Sequence, residues 1–369
     1  MSGDEASEAA IDDLTRLLPA LLLSLDALAH FARHFDPMRF DESLAAIGAP
    51  EDELRAAFQA LRTWPAHLAD LRGRIEAATA ATLEGYELLR GAPDEPEGLR
   101  AVMRALKRIP RALDPLYPLT RGLPPVSRFF LDEASRGNAE IEARLAAPPR
   151  GTGTGVSHVG DSPGARGGFS IYVPEFYEPA QSWPLVFALH GGGGDGFSFL
   201  WSWLPTARAQ GAIVVAPTAI GRTWALMGED VDTPNLLRIL DFVRGRLNVD
   251  SARLLLTGMS DGGTFCYVSG LEAASPFTHL SPVSASFHPM LASMADETRL
   301  AGLPILIAHG ARDWMFHVNM AREAQAALTR VGANVTYREI ADLAHAFPRE
   351  ICADILAWTK ETERAGGET

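Results

Sequence analysis

Leu254-Leu255-Leu256-Thr257-Gly258-Met259-Ser260-Asp261-Gly262-Gly263 decides the reading of this chain. An apolar run with the character of a buried strand ends in Gly-x-Ser-x-Gly, and a helix-compatible segment follows. A serine hydroxyl is a weak nucleophile. It must stand at the tip of a tight strand-to-helix turn, within reach of a base, before it can attack anything. Gly258 and Gly262 flank it where side chains would crowd such a turn. Alone, the pentapeptide is equally a Gly/Ser turn after a strand, so its surroundings carry the decision.

Upstream, Pro184-Leu185-Val186-Phe187-Ala188-Leu189-His190 is another buried-strand pattern and runs into Gly191-Gly192-Gly193-Gly194. A glycine-rich turn after a strand lets backbone N–H groups point at a developing oxyanion. Downstream, Leu303-Pro304-Ile305-Leu306-Ile307-Ala308-His309-Gly310 is a further strand, with Asp313 just beyond its carboxyl end. Val335-Thr336-Tyr337-Arg338-Glu339-Ile340 is the next, and the chain then reaches His345. The order is Ser260, Asp313, His345, that of a nucleophile, an acid and a base on a strand–turn–helix scaffold. His345 is the candidate general base, and Asp313 the group that fixes its tautomer and stabilises the imidazolium. Asp342 is the alternative acid, but Asp313 sits at a strand end well separated from His345. Asp261 follows the nucleophile, so its backbone N–H is the first expected oxyanion donor.

These stretches resemble the α/β-hydrolase superfamily, in particular its phospholipase/carboxylesterase and feruloyl-esterase-like branch. The resemblance rests on Leu189-His190-Gly191-Gly192, Gly258-Met259-Ser260-Asp261-Gly262-Gly263, His309-Gly310-Ala311-Arg312-Asp313 and Ala344-His345-Ala346-Phe347, and covers about 168–360. It is specific for fold and triad and weak for substrate. It implies a serine carboxylic-ester hydrolase working through an acyl-enzyme, with Gly192 as the second oxyanion donor and Gly193 as the neighbouring choice. It also implies that an aromatic at Trp224, in the loop after a strand, lines the site, although core packing is an equal reading. Residues before about 151 resemble nothing nameable.

The rest of the carboxyl-terminal region supports an α/β fold. Strand patterns at 169–173, 185–189, 212–216, 254–257, 282–286, 305–308 and 335–340 alternate with helical patterns at 197–209, 233–247, 262–273, 318–331 and 349–363. Such alternation gives a mostly parallel sheet covered by helices on both faces, with active sites at the carboxyl ends of the strands. Trp314 and Phe316 directly follow Asp313 and are expected in the pocket wall, since ligand pockets are largely apolar and aromatic. Trp201 and Trp203 read as core. His288 lies on the active edge, but a surface or hydrogen-bonded structural role is expected. His190 and His309 each end a strand and are expected to shape loops.

At 369 residues, 47% of them hydrophobic, the chain has room for one large domain and a smaller one. The formal charge of −13 is spread along the sequence. It argues against nucleic acid or an anionic membrane surface as partner. Acidic residues at Asp4, Glu5 and Glu8 stand where a secretory signal would be basic, so a cytoplasmic location is expected. The apolar stretch 17–29 is too short to span a bilayer and reads as a core helix. Cys266 and Cys352 make neither a metal pattern nor a disulfide framework. His30 and His34 have the spacing of a metal pair but no third ligand, so neither metal nor cofactor is expected.

Ala147-Pro148-Pro149-Arg150-Gly151-Thr152-Gly153-Thr154-Gly155 has linker composition. It divides a helical domain (1–147) from a linker (148–167) and an α/β-hydrolase domain (168–369). Before it, 10–35, 50–89, 95–113 and 125–146 carry apolar residues at three- and four-residue spacing, with Pro65 breaking or kinking the second segment. This is the pattern of a small all-α bundle. Its surplus of apolar residues suggests either a lid that narrows access to Ser260 or a homodimerisation module. For the whole chain the expected substrate is a small-molecule carboxylic ester. A serine peptidase or thioesterase with the same triad, and a non-catalytic binding protein on a hydrolase shell, are the alternatives, and fold analogy does not choose among them.

Overall fold

The computed structural model describes residues 3–94, 97–148 and 152–362. The chain forms two compact units, Met1–Phe130 and Leu131–Thr369.

The first unit is helical throughout: α1 (Gly3–His34), α2 (Phe40–Ala46), α3 (Pro50–Gln59), α4 (Ala69–Gly91), α5 (Gly98–Leu106), α6 (Arg108–Leu116) and α7 (Pro124–Phe129). Leu17, Leu21, Leu25, Leu28 and Phe31 recur at three- and four-residue steps along α1 and are buried. α1 is longer than the apolar stretch 17–29. Among the described residues it is the one helix long and apolar enough to cross a membrane, so the length argument against a span does not stand. Polar groups tie its buried side to its neighbours instead. The carboxylate of Asp13 accepts hydrogen bonds from the Arg62 backbone N–H (2.9 Å) and Trp64 Nε1 (3.0 Å), and Tyr86 Oη donates to the Ser24 carbonyl (2.8 Å). The segment 50–89 is two helices, parted around Pro65 as its ring requires.

The second unit begins earlier than the linker composition indicated. Its helix α8 (Ala139–Ala146) belongs to it: Leu145 packs with Leu131 and Ala209, and the Arg144 guanidinium lies 4.0 Å over the Phe176 ring. The expected linker also contains a strand, β1 (Gly155–Val159), which pairs antiparallel with β2 (Phe169–Val173). A short, half-exposed edge strand in Gly/Thr-rich text has no long apolar run to announce it. The remaining strands are β3 (Trp183–Leu189), β4 (Ile213–Pro217), β5 (Val249–Met259), β6 (His279–Val283), β7 (Pro304–Gly310) and β8 (Asn334–Ile340). The sheet order is β1-β2-β4-β3-β5-β6-β7-β8, with β3 to β8 parallel and β2 antiparallel to β4.

Helices α9 (Gly196–Gln210), α10 (Asp232–Arg244), α11 (Asp261–Gly270), α12 (Met290–Met294), α13 (Glu297–Leu300), α14 (Asn319–Arg330) and α15 (Cys352–Glu361) connect the strands or close the chain. Each begins and ends within a few residues of its sequence pattern, except that α12 and α13 are short helices the patterns did not mark. The chain leaves β3 through α9 to β4 on one side, then crosses through α10 to β5 on the other. Order reverses between β3 and β5, where open α/β sheets place their ligands. Phe187, Leu189, Leu254 and Leu256 on those two central strands are fully buried. α9 is capped by Asp195, whose carboxylate accepts the Ser198 N–H at 2.7 Å. It is tied to the end of β2 by the buried pair Arg208–Glu175 (2.8 Å).

Candidate active site

β5 ends at Met259 and α11 begins at Asp261, so Ser260 is the corner between them. Its backbone takes φ 57° and ψ −121°, a conformation that L-residues avoid and that costs on the order of 1–3 kcal/mol. Three contacts hold it there. The Ser260 N–H donates to the Val283 carbonyl (3.0 Å), and the Ser260 carbonyl accepts the Thr264 N–H (2.8 Å) and hydroxyl (3.1 Å). The corner is also sterically closed: a Cβ on Gly262 would stand 2.4 Å from the Leu189 carbonyl oxygen, and one on Gly258 would stand 2.5 Å from Gly262.

The sequence-selected triad comes together. The hydroxyl of Ser260 lies 3.0 Å from His345 Nε2, and His345 Nδ1 lies 2.9 and 3.0 Å from the two oxygens of Asp313. Burial alone would raise the Asp313 pKa. The hydrogen bond and charge of His345, with the backbone N–H groups of Phe316 (2.8 Å) and Met315 (2.9 Å), outweigh it and hold the carboxyl below its ordinary value. An ionised carboxylate only accepts, so Nδ1 carries the proton and Nε2 is free to accept from Ser260. Asp342 is exposed on the surface, and His345 is bonded to Asp313 instead.

Supports surround each member. His309, fully buried, donates from Nε2 to the Phe316 carbonyl (2.8 Å) and has that nitrogen 3.4 Å from Asp313. Phe347, two residues past His345, packs edge-on against Phe199 of α9 at 5.1 Å. Trp314 and Phe316 stand edge to face with the His345 ring, centroids 5.7 and 5.3 Å away. Trp201 and Trp203 are buried in α9, and His288 accepts the Met290 N–H at the start of α12.

The glycine loop lies beside the corner. A Cβ on Gly192 would fall 2.6 Å from Asp261 Oδ2, and one on Gly191 would fall 3.5 Å from Ser260 Cβ. Gly193 has φ +68° and open space around it. His190 shapes the loop from within the core. It bonds the Gly191 carbonyl through Nδ1 (2.7 Å) and accepts the Ala219 N–H at Nε2 (3.1 Å). Burial drives its pKa down to about 4, so it is neutral.

Trp224 departs from expectation. It is buried in the hydrophobic core, stacked on Phe265 at 5.3 Å, with Nε1 donating to the His190 carbonyl at 2.7 Å. Both faces of the indole meet protein, so its work is to hold the glycine loop, not to line a pocket. Its neighbour Thr223 was missed. The Thr223 hydroxyl donates to Asp261 Oδ2 at 2.5 Å, clamping the first residue of α11. Threonine in a loop carries no motif, and only the fold brings the two together. The same holds for Ser284, whose φ of 45° turns the chain out of the sheet at the end of β6. That turn is why the strand stops at Val283 rather than continuing to 286.

A mostly parallel sheet in this order, with a serine–histidine–aspartate chain of hydrogen bonds across its switch point, gives the second unit the α/β-hydrolase fold. The model of the family described as Phospholipase/Carboxylesterase matches residues 209–362, which carry all three triad positions. Feruloyl esterase C of Emericella nidulans is 34% identical over 125 residues, which are 31% of this chain and 45% of that protein. A bifunctional acetylxylan esterase/xylanase of Neocallimastix patriciarum is 30% identical over 156 residues, 41% of this chain and 22% of that one. The chain thus spans less than half the length of these curated relatives. A solved ferulic acid esterase superposes with a TM-score of 0.46 at 14% identity, covering 57% of this chain and 99% of that one.

Proposed function

We propose that the protein is a serine carboxylic-ester hydrolase acting through an acyl-enzyme. The observation that carries this is the continuous path from Ser260 Oγ through the imidazole of His345 to the buried, ionised Asp313, set on a strained corner. His345 Nε2 takes the hydroxyl proton as Ser260 attacks the ester carbonyl, and Asp313 stabilises the imidazolium. The backbone N–H groups of Asp261, which directly follows Ser260, and of Gly192, in the glycine loop beside the corner, receive the oxyanion. Collapse of the tetrahedral intermediate returns the proton to the leaving alkoxide. Water then repeats the sequence on the acyl-serine. Trp314 and Phe316 flank the imidazole and form the wall against which the substrate lies.

The names of the matched relatives, feruloyl and acetylxylan esterases, point to carboxylic esters rather than amides or thioesters. The helical unit we assign the role of lid or dimerisation module, on the apolar surplus of its sequence. The test of the catalytic reading is a fluorophosphonate probe together with a panel of esters, an amide and a thioester. Labelling lost in Ser260→Ala, with turnover confined to esters, is the expected result. A wild-type protein that neither labels nor hydrolyses any of them would overturn it.

A further inference from the structure

Asp261 brings a carboxylate to the place where the proposed reaction builds a negative charge. It directly follows Ser260, and its own backbone N–H is the first expected oxyanion donor. A carboxylate able to swing toward a forming oxyanion would oppose it, and strongly so where water is excluded. In the structure that carboxylate is restrained. Its Oδ2 accepts the Thr223 hydroxyl at 2.5 Å, the one hydrogen-bond partner of this side chain among the described residues. It also lies against the glycine loop. The space that a Cβ on Gly192 would need is filled by Asp261 Oδ2, at 2.6 Å, and Cγ, at 3.2 Å.

The segment that delivers Thr223 is anchored on both sides of it. The buried Asp232 accepts the Ile220 N–H with one carboxylate oxygen and the Ala225 N–H with the other, both at 2.8 Å. The Ala219 N–H donates to His190 Nε2 (3.1 Å), and Trp224 Nε1 donates to the His190 carbonyl (2.7 Å). Thr223 cannot move away from Asp261 without loosening these bonds, and a buried polar group left unpaired is costly. Anchoring of this kind fixes a supporting side chain in one place.

We propose that Thr223 is a positioning residue whose hydroxyl latches the Asp261 carboxylate against Gly192 and keeps its charge from the oxyanion; this rests on the serine-hydrolase reading above. The hydroxyl acts through Asp261 and takes no proton in the reaction. A packing role would need only the shape of the threonine. A latch needs its hydroxyl, and it matters only while there is a charge to restrain.

The test is a double-mutant cycle in the full chain, read as kcat and KM for p-nitrophenyl acetate. Thr223→Val keeps the shape and removes the hydroxyl. It should lower kcat by about tenfold or more with KM within about threefold, because the loss falls on the transition state. Thr223→Ser keeps the hydroxyl and should hold kcat within about threefold of wild type. Asp261→Asn removes the charge, so in that background Thr223→Val should cost less than about threefold in kcat. A fall of less than about threefold for Thr223→Val in the wild-type background overturns the inference. So does an equal loss in the two backgrounds, or a loss that serine shares. If Thr223→Val does not fold by circular dichroism, Thr223→Ala takes its place; failure of both to fold assigns the hydroxyl to stability and overturns the inference as well. In each of these cases fluorophosphonate labelling of Ser260 in the wild type leaves the hydrolase reading standing. A wild-type protein that neither labels nor turns over any ester overturns that reading and this inference together.

Discussion

Ser260 and Ser284 are the two non-glycine residues with positive φ among those described, at 57° and 45°. Each is buried, and each turns the chain out of the sheet at the carboxyl end of a parallel strand, β5 and β6. Their backbones are held alike: the Ser260 N–H bonds the Val283 carbonyl at the end of β6, and the Ser284 N–H bonds the Ala308 carbonyl near the end of β7. Their side chains part company. Ser260 Oγ meets the imidazole of His345 at 3.0 Å, whereas Ser284 Oγ reaches only the Ala346 carbonyl, at 3.4 Å. Backbone strain therefore aims a serine but does not supply it with a base. What distinguishes the first is the base, and behind the base the ionised Asp313.

The largest effect should come from removing the hydroxyl that has the base. Ser260→Ala and Ser260→Gly should each cut turnover by about four orders of magnitude or more. They should differ in stability, because alanine keeps the unfavourable φ and glycine does not. Thermal unfolding should find the glycine variant more stable by about 1 kcal/mol. Comparable stability in the two would mean the corner is not strained.

The corner itself is the next target. Gly262→Ala keeps the three side chains of the proposed triad but drives a Cβ toward the Leu189 and His190 carbonyl oxygens, 2.4 and 2.5 Å away. The backbone must move, and a misplacement near 1 Å costs about a hundredfold in turnover, with overpacking costing about 1–3 kcal/mol of stability. Wild-type kcat in this variant would show that the tight corner is dispensable.

These contrasts explain which parts of the molecule could be read in advance. That Ser260, Asp313 and His345 meet, with the glycine loop beside them, was legible because particular residue types stand at strand ends and long apolar runs mark the strands. Ser284 and Thr223 were not, because a positive-φ serine and a clamping threonine acquire their roles from neighbours remote in sequence. Trp224 misled for the same reason. Its loop position was right, but only the fold shows its indole stacked on Phe265. β1 was hidden in Gly/Thr-rich text, and the start of the second unit was misplaced because composition marks flexibility, not contacts. In the helical unit, periodicity gave α1, α4 and the break around Pro65, but it missed α2, ran α5 and α6 together as 95–113, and joined α7 to α8 of the second unit as 125–146.

A third strand end extends the comparison. His190 follows β3 and is buried in neutral form, with Nε2 accepting the Ala219 N–H. Protonation at Nε2 would set two donors against each other. Its folded pKa, about 4, lies below the ordinary 6.5, so the unfolded chain binds more protons between those values. Stability from this group is complete above about pH 6.5 and is lost as pH falls toward 4. At about 1.4 kcal/mol per unit the loss is about 3 kcal/mol. His190→Gln preserves an acceptor for Ala219 and does not titrate. Urea unfolding at pH 7.5 and 4.5 should find a clearly smaller acid loss in the variant. Equal losses in both proteins would assign the acid sensitivity elsewhere.

The smallest effect should come from Ser284, and it is the sharpest check on the comparison. Ser284→Ala keeps the strained φ and removes one long hydrogen bond, so it should cost about 1 kcal/mol or less. Ser284→Gly removes the same bond and relieves the strain, which offset each other to within about 1 kcal/mol. The order of stability, glycine above alanine, should match that at Ser260, since the backbone problem is the same at both corners. The activities should not match. Ser284 Oγ touches no base, so kcat and KM in both variants should stay within about threefold of wild type, the residual change reflecting slack in the loop that carries His345. A tenfold loss of kcat in Ser284→Ala, with stability unchanged and the loss not rescued by threonine, would mean that the second strained serine takes part in the chemistry after all.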